Sequence, residues 1–194
     1  MNRTSKIAAS ALLVFCAAMI LSPRMTSMAG AQTAQQNAIA VVKPAAFVSL
    51  DKVPRGKEFQ AAVVVQIAQG YHMNSHTPSE AYLIPTSLTA QAPAGFQVVD
   101  TLYPAGRQMK FSFSPDKPLD VYSGSVTLKL KLLAQNDAPL GAATIPVVLR
   151  YQACSDSTCL PPVKVPIDVK LEVGAAGSAA HSVHLEIFSA KTAK

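Results

Sequence analysis

From Val163 to Val173 apolar and polar residues alternate without a break. Val163, Val165, Ile167, Val169, Leu171 and Val173 fall on one side, and Lys164, Pro166, Asp168, Lys170 and Glu172 on the other. Successive side chains leave a strand in opposite directions, so a period of two marks a strand with one buried face. Three other rows repeat it: Phe59, Ala61, Val63, Val65 and Ile67; Val126, Leu128, Leu130 and Leu132; and Ile145, Val147, Leu149 and Tyr151. Pro166 has no N–H to give to a ladder, which predicts an edge strand or a proline on its unpaired side. Weaker strands are expected at 47–50, 71–74, 87–90, 96–101 and 109–114. No stretch of a dozen residues carries a helical stripe, and 79–83 makes at most one turn. About eight short strands, punctuated by "APAG", "SPDKP", "QNDAPLG" and "LPP", predict an all-β antiparallel sandwich. The chain has no Trp, so the buried tryptophan of antibody domains is missing.

The N-terminus has a different pattern. Arg3 and Lys6 precede an apolar run from Ile7 to Leu21, and Ala29-Gly30-Ala31 has the small-x-small form of a cleavage site. This reads as an export signal over 1–31, cut after Ala31. The run is shorter than the roughly 20 residues that span a bilayer, so no membrane span is expected once the signal is removed. Cys16 lies inside the run, behind the bulky Phe15, and is expected to leave with it. A polar lead at 32–42 is expected to be flexible, the sandwich domain to occupy 43–173, and 174–194 to be a linker and tail, opened by the Gly/Ala/Ser stretch "GAAGSAA". The chain has 17 Lys+Arg against 11 Asp+Glu; with Arg3, Lys6 and Arg24 in the leader, the net charge beyond it is +3. That mild balance, with no basic stripe interleaved with aromatics, argues against nucleic acid as a partner.

Export bears directly on "YQACSDSTCLPP", which holds Cys154 and Cys159. Thiols in an exported protein can oxidise. The flanking rows put one cysteine at the end of a strand and the other just before the next, so the pair sits in a hairpin connection. A bridge here closes a loop of only six residues. Chain entropy assigns such a loop about 2 kcal/mol, against about 5 for a loop of a hundred residues. An exposed bridge is also easier for an incoming thiolate to reach. The pair lacks a second Cys/His pair for zinc and the C-x-x-C spacing that opens a helix in thioredoxin. Two readings follow: a structural clip on a hairpin, within a non-catalytic binding module, or a relay opened and reclosed by partner thiols.

"YQACSDSTCLPPVKVPIDVKL" resembles the cysteine hairpin of the N-terminal periplasmic domain of the thiol:disulfide interchange protein DsbD. "GYHMNSHTP", "YLIPTSL", "GFQVVDTLYPAG" and "LDVYSGSVTLKL" are similar to its upstream segments, so the likeness runs from about Phe47 to Val173. The resemblance implies an immunoglobulin-like sandwich that passes electrons by thiol–disulfide exchange, as one component of a protein-disulfide reductase system, without a cofactor. It implies Cys154 and Cys159 as the exchanging pair, Cys159 forming the mixed disulfide with thioredoxin-fold partners and Cys154 resolving it. It places His72 and Asn74 beside the cysteines, and a shielding cap near Leu102 and Tyr103, where this chain has Leu-Tyr-Pro in place of an aromatic pair with acids. DsbD's membrane-spanning and thioredoxin-like domains have no counterpart in this sequence, so the reductant is expected in trans.

His72, Met73, His76 and Met109 are soft or borderline ligands that could hold copper; the competing reading makes them loop residues shaping the rim of the hairpin, and no metal site is expected. Asp156 is expected to stabilise the cysteine turn, and Tyr122 and Tyr151 to be core aromatics with tethered hydroxyls.

Overall fold

The computed structural model describes residues 28–189; the basic and apolar parts of the leader, including Cys16, and the last five residues lie outside them. In chain order, helix α1 (Met28–Ala40) is followed by β1 (Val42–Val48), β2 (Val53–Pro54), β3 (Lys57–Ile67) and β4 (His72–Asn74). Then come β5 (Ser87–Ala90), β6 (Phe96–Leu102), β7 (Arg107–Phe111) and β8 (Ser114–Tyr122). The chain continues through β9 (Ser125–Ala134), β10 (Gly141–Tyr151), β11 (Ala153–Cys154) and β12 (Val163–Gly174), and ends in α2 (Leu185–Phe188).

The four strong rows are the four long strands. β3 pairs antiparallel with β9, setting Phe59, Ala61 and Val63 across from Leu132, Leu130 and Leu128. β10 pairs antiparallel with β12, setting Ile145, Val147 and Leu149 across from Val169, Ile167 and Val165. The sheets β1-β3-β9-β6 and β2-β12-β10-β5 bury these rows in a single cluster. Each large side chain removed from water contributes about 1.5–3 kcal/mol, so this cluster is the main source of stability. The result is an immunoglobulin-like antiparallel β-sandwich. β12 meets its second neighbour, β2, only at Val173 and Gly174, so Pro166 sits on a stretch flanked by β10 alone among the named strands.

A third sheet, β11-β4-β8-β7, joins at one end of the sandwich. Its strand β8 starts inside "SPDKP", where a turn was expected; the chain reverses one step earlier, at Ser112 and Phe113. The prolines at 115 and 118 are accommodated because β8 pairs with β7 at Ser114 and again only from Leu119, and with β4 only at Val121 and Tyr122, so 115–118 have no ladder partners.

Both ends of the domain differ from expectation. The region 32–42, expected as a flexible lead, is largely helical, and α1 runs through the Ala29-Gly30-Ala31 junction. It forms without an amphipathic stripe because its Ala and Gln residues favour helix intrinsically, and it docks mainly through the buried Ala38, whose carbonyl accepts from the Tyr151 hydroxyl at 2.9 Å. The expected linker turns at 175–178 and the chain folds back: Leu50 bridges Ser182, and the His181 N–H and Nδ1 lie 2.8 and 2.9 Å from the Asp51 carboxylate. His184 packs edge-on against Phe47.

Candidate functional site: the cysteine hairpin

Cys154 and Cys159 form a disulfide across the β11–β12 connection. The loop holds itself together. Thr158 O accepts from the Ser155 N–H at 2.8 Å, Ser155 Oγ accepts from the Thr158 N–H at 3.2 Å, and the Leu160 N–H donates to Ala153 O at 2.8 Å. Ser155 thus supplies the turn-stabilising side chain expected of Asp156. The two cysteines differ sharply in environment: Cys154 is 1% exposed, on the short strand β11, while Cys159 is exposed on the loop.

Behind Cys154 lies β4. His72 is directly across the ladder from Cys154, and Met73 from Ala153. Directly opposed residues in an antiparallel pair carry their side chains on the same face, with Cβ atoms about 5 Å apart. His72 is buried, at 3% exposure, and its ring stacks on Phe111 with centroids 4.0 Å apart. Burial holds its pKa below the ordinary imidazole value, and the Asp156 carboxylate partly opposes that. Asn74, also buried, donates through Nδ2 to Ile84 O at 3.0 Å and to Gln152 Oε1 at 3.5 Å, while its own carbonyl accepts from Thr86 Oγ1 at 2.6 Å. Both residues expected beside the cysteines are therefore in the sheet that carries Cys154.

Leu102 and Tyr103, expected as a rim or cap, are engaged elsewhere. Leu102 pairs with Lys129 at the end of β6. The Tyr103 ring stacks on His76 at 3.6 Å, and its hydroxyl bonds to Leu88, accepting from the N–H at 2.9 Å. What lies against the cysteine loop is the β7–β8 turn. Ser112 Oγ donates to Asp156 O at 2.6 Å, Phe111 covers His72, and the exposed Phe113 ring stacks on Phe111 at 5.3 Å. The signal for this was the pair of aromatics in "KFSFSP", two residues apart beside a turn.

The soft-ligand cluster is dispersed among packing roles. His76 Nδ1 is 3.0 Å from Thr86 O, Met73 is fully buried in the core, and Met109 packs beside Phe111, Leu119 and Val121. Among the described residues no group of three or more His, Cys, Asp or Glu is placed to hold a metal ion. Tyr122 donates to Pro104 O at 2.9 Å and accepts from the His76 N–H at 3.2 Å, and burial pushes the Tyr151 phenol up to about 12. Both tyrosines are core aromatics with tethered hydroxyls.

Fold and site together define a class: a thiol–disulfide interchange module built on a β-sandwich. The family model described as "Thiol:disulfide interchange protein DsbD, N-terminal" matches residues 36–171, and the chain belongs to that family. It is similar to the DsbD N-terminal domain of Neisseria meningitidis in its reduced form, with 18% identity and a TM-score of 0.39 over 70% of this chain and 89% of that one. It is also similar to the N-terminal periplasmic domain of ScsB from Proteus mirabilis, with 14% identity and a TM-score of 0.47 over 68% of this chain and 46% of that one. A third likeness is to AggA, the major subunit of aggregative adherence fimbriae type I of Escherichia coli, at 7% identity and a TM-score of 0.28, over 69% and 95% of the two chains. No curated protein matches the chain.

Proposed function

We propose that this chain is a periplasmic relay that takes electrons from a thioredoxin-like reductant and hands them to oxidised thioredoxin-fold proteins. The observation that carries the reading is the asymmetry of the disulfide: one cysteine exposed on a self-supporting loop, the other buried in the adjoining strand. In the reduced module the Cys159 thiolate attacks a partner's disulfide and forms a mixed disulfide, expelling one partner thiolate. Cys154 then attacks Cys159, the internal bridge closes, and the partner leaves as a dithiol. The module loses two electrons and the partner gains them. Running the sequence backwards with a reduced donor recharges the module.

The β7–β8 turn takes the place that the resemblance gave to Leu102 and Tyr103. Its displacement is what exposes the bridge fully, and the Ser112–Asp156 hydrogen bond is a modest hold, worth about 1 kcal/mol net. Export through a cleaved leader delivers the chain to the compartment where this chemistry is needed. Whether the signal is cut at Ala31 is tested by N-terminal sequencing of the exported protein.

Equilibration in dithiol buffers tests the function. A relay has a reduction potential near those of thioredoxin-like proteins, roughly −270 to −120 mV, whereas a structural clip lies below about −300 mV. Cys154→Ala should accumulate mixed disulfides with thioredoxin-fold proteins through Cys159. Accumulation only in Cys159→Ala would reverse the two roles, and a potential below the relay range would return the module to simple binding.

A further inference from the structure

The exchange sequence leaves one proton without a carrier. Cys154 has to lose its thiol proton before it resolves the mixed disulfide, and burial raises the pKa of a thiol and keeps bulk water away. We propose that His72 is the proton acceptor for Cys154, its Nε2 taking the thiol proton as the Cys154 sulfur attacks Cys159. This rests on reading the pair as an exchanging one and names the group that drives its second half.

The arrangement of His72 is difficult to explain as packing alone. Its Nε2 is buried and has no hydrogen-bond partner, although leaving such a group unpaired costs about 1–3 kcal/mol. The ring stands across the ladder from Cys154 and is held by its stack on Phe111. With the disulfide closed there is no S–H for it to meet. Reduction creates one on the facing residue, so the orphaned nitrogen of the oxidised state acquires its partner only in the state that has to be deprotonated.

The surroundings suit a base. A cavity of about 380 Å³ adjoins the ring, lined by Tyr71, Met109, Phe111 and Asp156 among others, and gives the proton a way out to solvent. Around that cavity the ionisable side chains besides His72 are Tyr71, from the β3–β4 connection, and Asp156, from the cysteine loop; β7 contributes the uncharged Met109 and Phe111. Burial holds His72 below the ordinary imidazole pKa, so it is neutral at neutral pH, and the Asp156 carboxylate, which favours its protonated form, supports the imidazolium that forms as it accepts.

The atoms balance. The Cys154 S–H bond breaks and an N–H forms on His72, the Cys154–Cys159 bond forms, and the bond from Cys159 to the partner breaks. The departing thiolate is then protonated by His72 or by water through the cavity.

The test follows the reduced exported chain, freed of its leader and of Cys16, mixed with oxidised glutathione, with acid quenching and mass spectrometry of the glutathionylated intermediate. His72→Phe keeps a ring against Phe111 and removes the base. Its mixed disulfide should form at the wild-type rate and decay about a hundredfold more slowly at neutral pH, the lower end of what a positioned base contributes. The decay should also rise about tenfold per pH unit where the wild-type rate is flat, because the variant depends on the free thiolate fraction. In the wild-type protein, the ¹⁵N resonance of His72 Nε2 should move on reduction as the nitrogen gains a partner; this measurement decides the matter if the variant does not fold. Decay at the wild-type rate and pH profile, or an Nε2 resonance indifferent to reduction, overturns the assignment while leaving exchange itself intact. If the wild-type chain never forms the glutathione adduct, the exchange reading falls and the role of His72 falls with it.

Discussion

The two packed sheets and the small sheet that carries the sulfurs are assembled by opposite means. The β3–β9 and β10–β12 ladders run for ten and eleven residue pairs over an interior of Val, Leu, Ile and Ala. β4, the strand behind the disulfide, pairs with β11 over two residues and with β8 over two. Its neighbourhood holds His72, Asn74, Ser75 and Thr86, buried polar residues of a kind that the two main sheets avoid apart from Lys129. Regular burial supplies stability that does not depend on the oxidation state. In the relay proposed above, short ladders and buried polar groups supply the place where the bond opens while what lies underneath stays folded.

The largest effect belongs to the packed sheets. Leu130→Ala removes a fully buried side chain at the middle of β9 and should cost about 3 kcal/mol in urea denaturation, while the folded fraction exchanges with glutathione at the wild-type rate. Opening the disulfide should cost less, about 2 kcal/mol, with the far-ultraviolet dichroism spectrum retained; loss of the spectrum would show that the sheets are not independent of the bridge. Tyr151→Phe tests the end of β10, where it is tied to α1 just before the chain enters the small sheet. It strips the Ala38 carbonyl of its donor and should cost about 1 kcal/mol by the same denaturation assay.

The smallest effect lies in the β1–β2 connection, where it meets the C-terminal segment. Asp51 accepts from the His181 N–H and ring, which lowers its pKa to about 2 from an ordinary 3.8. A depressed carboxylate contributes stability above its unfolded pKa and loses it as the pH falls toward the folded value. Asp51→Asn should therefore speed amide exchange around 181–188 at neutral pH and leave β9 and β10 unchanged, and the difference from wild type should shrink below about pH 4 and vanish as the pH falls through the folded pKa of about 2.

The same contrast explains what could be read from sequence. The rows ending at Ile67, Leu132, Tyr151 and Val173 were legible because one buried face imposes a period of two on every residue. The cysteine hairpin was legible because its two strands are adjacent in the chain. The β7–β8 turn over that hairpin was not: Ser112 and Asp156 meet across 44 positions, and no periodicity records which turn covers which loop. Leu102 and Tyr103 were assigned to that place by resemblance, yet Tyr103 is committed to His76 and Leu88. β8 was hidden by Pro115 and Pro118, which mimic a turn, and α1 by a composition that favours helix without striping it.

Tyr151 ends β10 three residues before Cys154, and its hydroxyl grips α1 at Ala38. The N-terminal segment is thus tied to the end of the strand that leads into the redox loop, by a phenol that burial keeps protonated and able to donate at neutral pH. An affinity handle or fusion partner attached ahead of α1 would pull on the end of β10, just before the strand that carries Cys154, so instrumented versions of this protein are better labelled at the opposite terminus.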